Sequence, residues 1–224
     1  MDTETADVND VEVDVENLAD AEVEVFDDSK SAPADRADVG PLDETEANPV
    51  RPYVDLGGVK ILPREGLHLR LEVEEGSKRV VAVGLDFAKS TLQIQPFAAP
   101  RTTGLWNEIR EQISEQIRRQ GGTTAEVDGP FGPEVRAEIP VMGGDSGTTR
   151  LARFIGVDGP RWFLRGVIAG DATVDPEAAE KIEELFRSVV VVRGTTPMPP
   201  RDLIPLNMPK TGPADGGSAA TTQV

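Results

Sequence analysis

The chain has 224 residues, no cysteine, one histidine and a net charge of −17 from 40 acidic and 23 basic side chains, long enough for one domain with a true core plus tails. Without cysteine, disulfide scaffolds, thiolate nucleophiles and cysteine-based zinc sites are excluded, and one histidine cannot build a multi-histidine metal centre. Residues 1–50 hold 17 acidic and 2 basic side chains, whereas 51–224 hold 23 and 21; the near-neutral body lacks the Lys/Arg surplus that nucleic-acid binding needs, so a protein partner with a basic surface fits better.

The opening MDTETADVND has neither a basic nor an apolar leader region, and no apolar run reaches the roughly twenty residues that span a bilayer. A cytoplasmic protein without a membrane partner is the expectation. Residues 1–49 are acidic and poor in large apolar groups, which predicts a disordered tail. Within it VEVDVEN (Val11–Asn17) and AEVEVFDD (Ala21–Asp28) alternate apolar and acidic residues, the pattern either of a solvated arm or of a strand that orders on a partner or a sheet edge.

Residues 50–209 read as a single domain with a proline-rich C-terminal extension. PYVDLGGVKILP (Pro52–Pro63) is an apolar lead-in bent at Gly57 and Gly58. LHLRLEVE (Leu67–Glu74) alternates strictly and predicts a half-buried strand; RVVAVGLDF and STLQIQPF follow across tight turns, making a meander of three strands. The period then changes. Leu105, Ile109, Ile113 and Ile117 fall four apart beside Trp106, so LWNEIREQISEQIRRQ is an amphipathic helix with Thr102 or Thr103 available as its cap and Gly121 closing it.

Four strand-like runs come next: TTAEV, PEVRAEIPV, TTRLARFIGV and RWFLRGVIAG. A DGP triplet lies between the first two (Asp128–Pro130) and again between the last two (Asp158–Pro160), and each predicts a hairpin corner. Along Arg161–Ile168 the side chains of Trp162, Leu164 and Ile168 share one face and Arg161, Phe163 and Arg165 the other, which suggests tryptophan against the helix and arginines on the far face. DPEAAEKIEELFRSV (Asp175–Val189) is a second helix capped by Asp175, with Ile182, Leu185, Phe186 and Val189 as its buried stripe. VVVVRG is a last strand or a frayed helix end, TTPMPPRDLIPLNMP an extended segment laid over the domain through Leu203, Ile204 and Leu206, and residues 210–224 a disordered tail. The fold class that results is α+β: a largely antiparallel sheet of about seven strands and two main helices, in the order three strands, helix, four strands, helix.

Chemistry is harder to find. GGDSG (Gly143–Gly147) contains the GDSG of trypsin-like proteases, but the glycine that follows in that family is replaced by Thr148 and the sole base, His68, sits on a strand; a flexible hairpin loop is the simpler reading. No phosphate-binding glycine loop follows a strand. No catalytic, cofactor-binding or metal-ligating residue is assigned. Arg70, Arg136, Arg153 and Arg165 would share the sheet face away from the helices as a partner or anion patch, unless Glu72, Glu134 and Glu138 simply pair with them across strands.

From Tyr53 to Pro209 the stretches LHLRLEVEE, STLQIQPFAAPRTTGLWNEIREQI, GGTTAEVDGPFGPEVRAEIPV, TRLARFIGVDGPRWFLRGVIAG and DPEAAEKIEELFRSVVVVRGTTPMPPRDLIPLNMP resemble, in order, the domain of unknown function 3710 family of actinobacteria. That resemblance implies no catalytic residues; the family's genes commonly lie near a dUTP pyrophosphatase and an OB-fold protein, which implies a link to nucleotide or nucleic-acid metabolism. The order of elements is more loosely similar to the Mog1/PsbP-like sandwich of adaptor and accessory proteins. Two functions follow: a non-catalytic interaction or regulatory module, or a small-ligand binder or enzyme with a pocket between the sheet and the C-terminal extension.

Overall fold

Residues 27–141 and 148–209 are described by the computed structural model. Residues 1–26, 142–147 and 210–224, with the GGDSG motif and most of the alternating acidic stretches, lie outside the described residues. The first elements are short: α1 (Arg36–Val39), β1 (Leu42–Asp43), β2 (Val54–Asp55) and β3 (Val59–Ile61). The alternating runs then become β4 (His68–Val73), β5 (Val80–Phe87), β6 (Ser90–Ala98), the helix α2 (Trp106–Arg119), β7 (Thr123–Gly129), β8 (Gly132–Pro140), β9 (Thr149–Asp158) and β10 (Trp162–Gly170). α3 (Pro176–Arg187) and β11 (Val190–Val191) complete the series. Strands β4 to β10 form one antiparallel seven-stranded sheet in the spatial order β4-β5-β6-β10-β9-β8-β7, and β1-β11-β3-β2 form a second, small one. The α+β class, the seven strands and the order of strands and helices are as the sequence predicts, and both DGP triplets turn hairpins, β7 into β8 and β9 into β10.

Pairing register sorts the side chains. Trp162, Leu164 and Ile168 of β10 lie opposite Ala98, Pro96 and Leu92 of β6, and this face packs with Val83, Leu85 and Ile94 against Ile182, Leu185 and Phe186 of α3. Phe163, Arg165 and Val167 lie opposite Phe97, Gln95 and Gln93, on the face that α2 covers with Trp106, Ile113 and Ile117. The two helices therefore sit on opposite faces, not one, and the arginine face of β10 is a helix-covered face. The physical reason is that both faces of β10 carry large apolar groups: Trp162 and Leu164 on one, Phe163 on the other, are all fully buried, and each such side chain adds about 1.5–3 kcal/mol of transfer free energy only if something covers it. Phe163 stacks between Phe97 and Trp106 at centroid distances of 6.0 and 5.9 Å. Gly156 of β9 permits the close approach of α2, since a Cβ there would stand 2.4 Å from the Trp106 ring.

The cap of α2 is not local. Neither Thr102 nor Thr103 reaches the helix start; Asp158, from the second DGP corner, accepts hydrogen bonds from the backbone N–H of Leu105 (2.9 Å) and Trp106 (3.4 Å). The other end closes as expected, with Gly121 at φ 81°, a left-handed conformation that suits glycine. α3 begins as its sequence implies, with Asp175 accepting from Glu177 N (3.2 Å).

Residues 27–49, placed in the tail by composition, contact the domain. Asp158 accepts from Ser31 N (3.0 Å) and donates its own N–H to Ser31 O (2.9 Å), while Lys30 Nζ donates to Pro160 O (2.9 Å). β1 pairs in parallel with β11. Asp43 accepts from Trp162 Nε1 (2.9 Å) and from Thr45 N and Oγ1. Burial disfavours the Asp43 carboxylate, but these bonds and Arg36 outweigh it and hold the carboxyl below the usual 3.8. A depressed native value means the unfolded chain takes up the proton first, so the anchor contributes fully above the usual carboxylate pKa and is lost as the pH falls below it. Acid titration followed by tryptophan fluorescence should show a loss of stability below about pH 4 that is larger in the wild type than in Asp43→Asn.

At the other end the extended segment lies where its leucines and isoleucine suggest. Ile204 N donates to Pro96 O (2.9 Å), Ala98 N to Asp202 O (2.8 Å) and Asn207 N to Leu56 O (2.8 Å). Ile204 and Leu206 are buried.

Candidate functional site

The four arginines expected to share one face are divided by the sheet. Arg136 and Arg153 are paired across β8 and β9 on the α3 side, where both reach Glu134. Arg136 Nε donates to Glu134 Oε1 (3.0 Å) and stays half exposed. Arg153 is buried: its Nε and Nη2 bind both oxygens of Glu134 (3.0 and 2.8 Å), and Nη2 also meets Glu183 Oε1 of α3 (2.7 Å). Arg70 and Arg165 lie on the α2 side. Arg70 forms a bidentate pair with Asp86 (2.6 and 3.0 Å), which also accepts from Thr91 Oγ1. The hydrogen bond from Arg70 holds the Asp86 carboxyl below its usual range; the pair is solvent-exposed and adds little to stability. Three of the four arginines thus have carboxylate partners: Arg70 and Arg153 reach Asp86 and Glu134 across strands, Arg136 reaches Glu134 within its own strand, and among the described residues neither Glu72 nor Glu138 forms a salt bridge with any of the four.

Arg165 differs. Its Nη2 donates to the neutral Oε1 of Gln95, its Nε is buried with no hydrogen-bond partner, and no carboxylate forms a salt bridge with it among the described residues. The guanidinium lies over the Phe97 ring, 5.8 Å from the centroid, and burial lowers its pKa from the ordinary guanidinium value without discharging it. It lines two neighbouring clefts. The larger, about 430 Å³, runs between the C-terminal half of α2 (Ile113, Gln116, Ile117) and the sheet (Gln93, Phe154, Val167). The smaller, about 240 Å³, is bounded by Phe97, Ile109, Phe163 and by Arg201 of the C-terminal segment. Arg201 is ion-paired with Glu108 of α2, which ties the extended segment to the helix at the rim. The pocket expected between the sheet and the C-terminal extension is thus mainly a cleft between the sheet and α2, because Ile204 and Leu206 fill their own contact with the sheet.

The sequence named Arg165 but not its surroundings. Thr91, Gln93 and Gln95 alternate with Leu92 and Ile94 along β6, so a polar face was readable there; that it adjoins Arg165 depends on β6 pairing with β10, about seventy residues away. His68 is exposed on β4, opposite Asp86 in register, beside a shallow depression of about 280 Å³ lined by Lys89 and Ser90. Among the described residues no group of three or more His, Cys, Asp or Glu is placed to hold a metal ion, and no helix is long and apolar enough to cross a membrane.

Fold and cleft together define an α+β protein with a helix on each face of an antiparallel sheet and a ligand-sized opening under one of them. The chain belongs to the family described as "Protein of unknown function (DUF3710)", whose model matches residues 40–214. Among solved structures, the solution structure of cyanobacterial PsbP (CyanoP) from Synechocystis sp. PCC 6803 is weakly similar, with 12% identity and a TM-score of 0.35 over 60% of this chain and 87% of that one. No curated protein matches.

Proposed function

We propose that the protein is an accessory module that acts by binding, and that the cleft under α2 receives an anionic group of its ligand on Arg165. The observation that carries this reading is the partly buried guanidinium of Arg165, which opens on a cleft and has, among the described residues, only a neutral amide oxygen as its acceptor. Withdrawing a cation from water without a counter-charge is expensive, and the other deeply placed arginine, Arg153, has two carboxylates. The cleft volume lies within the usual range of small-ligand sites. Thermal unfolding across a panel of carboxylates and phosphorylated metabolites tests the reading, because a ligand at a hundred times its Kd adds about 2.7 kcal/mol. At least one anion should raise the melting temperature of the wild type and leave Arg165→Met unmoved. The reading fails if every shift observed is the same in the two proteins, or if no anion produces one.

A further inference from the structure

We infer that the ligand is an organic acid with an apolar body, its single carboxylate on Arg165 and its hydrophobic part laid along the sheet under α2. This rests on the reading of the cleft given above and narrows it to one class of molecule. Register places the lining in rows. Arg165 stands between Gln95 of β6 and Gly156 of β9, Val167 between Gln93 and Phe154, and Ala169 opposite Thr91. From Arg165 to Ala169 the floor extends about 13 Å at the rise of a strand, and beyond Arg165 it is made of Phe154, Val167 and Ala169, with Ile113 and Ile117 of α2 as the opposite wall. The Arg165 end is therefore cationic and the floor beyond it apolar, the complement of a molecule with a charged head and a hydrophobic body, with the exposed Arg150 at the far end of the lining.

The charge count selects a monoanion. Among the described residues the lining holds two cations, Arg165 and Arg150, and one carboxylate, Glu72, whose Oε2 is held by Gln93 in the row next to Arg165. A phosphate monoester carries a charge near −2 at neutral pH and would leave the site with an excess negative charge, whereas one carboxylate leaves it balanced. The planar fork of arginine matches two carboxylate oxygens, and the guanidinium rests over the Phe97 ring.

Isothermal titration and thermal unfolding of the full chain with 2-naphthoate, 2-naphthol and 2-naphthyl phosphate, and with an apolar tripeptide bearing a free or an amidated C-terminus, test the inference. 2-Naphthoate is expected to bind and to raise the melting temperature, with the alcohol, the phosphate ester and both peptides at least about tenfold weaker, the loss that one charge-assisted pair explains. Arg165→Met should abolish the naphthoate response. Ala169→Phe, which fills the floor and leaves Arg165 in place, should weaken it while the unliganded melting temperature shows that the domain is folded. Preference for naphthyl phosphate, still dependent on Arg165, would overturn the carboxylate class and leave the cleft reading standing. Binding by the free-ended peptide alone would overturn the free acid as the source of the carboxylate. If no probe responds to Arg165→Met, and phosphorylated metabolites do not either, both this inference and the cleft reading fall.

Discussion

Replacing Arg153 by methionine is expected to lower the unfolding free energy by about 3–5 kcal/mol, read from urea titration as a shift in midpoint with little change in slope. The side chains of Arg153 and Glu134 are 4% and 1% exposed, so removing the cation leaves a buried carboxylate with only the half-exposed Arg136 to meet it. Glu183 of α3 loses its partner in the same step, and the carbonyl of Ala172 loses a donor at 3.3 Å. The penalty lies in the orphaned charge, not in the worth of the ion pair. Burial disfavours the charged guanidinium, and the hydrogen bonds it donates to Glu134 and Glu183 more than offset this, holding the Arg153 pKa above its ordinary value. The double variant Arg153→Met with Glu134→Leu should accordingly recover most of the loss, because a buried pair can often be exchanged for apolar groups of similar volume at little net cost. A single variant as stable as the wild type would show that water reaches Glu134 and that the pair is not sealed.

The second large effect is expected at Asp158. Its two carboxylate oxygens accept from three backbone N–H groups, those of Ser31, Leu105 and Trp106, so one side chain holds the start of α2 and the N-terminal segment together. Burial pushes its carboxyl above the usual range, with those three bonds pulling the other way. Asparagine has one acceptor oxygen and would turn two N–H donors toward backbone N–H groups. Asp158→Asn should therefore destabilise by about 2–3 kcal/mol, the penalty for leaving buried donors unmet. Hydrogen exchange should show the loss first at Ser31, Leu105 and Trp106. Protection at these amides equal to that in the wild type would mean that the helix start is satisfied by other means.

These two residues also mark where the sequence stops being legible. Helices announce themselves through local spacing: Ile109, Ile113 and Ile117 for α2, and Ile182, Leu185 and Phe186 behind the Asp175-Pro176 start for α3. Strand faces follow from alternation, and β10 orients Trp162 and Phe163 to opposite sides as its sequence says. Which side receives which helix is decided by packing between residues far apart, and a single strand with apolar groups on both faces leaves that open. The cap of α2 stands more than fifty residues beyond the helix start, so Thr102 and Thr103 were the natural local candidates. Composition made residues 27–49 look like tail because their anchors are individual polar contacts, Lys30 with Pro160 and Asp43 with Trp162, in place of an apolar stripe. At the candidate site Arg165 was visible as a residue type; that no described residue gives it a counter-charge was not, since that depends on what lies across the sheet.

The pairing of Leu42 with Val190 sets a rule for how the molecule is assembled. Nearly one hundred and fifty residues separate the partners, so closing that loop carries an entropy penalty that local contacts do not share, and such long-range pairings slow folding. During synthesis the first strand must wait undocked until the last one has left the ribosome. Completion of the small sheet is consequently a late event, and chains truncated before Val190 lack the strand that joins β1 to β3.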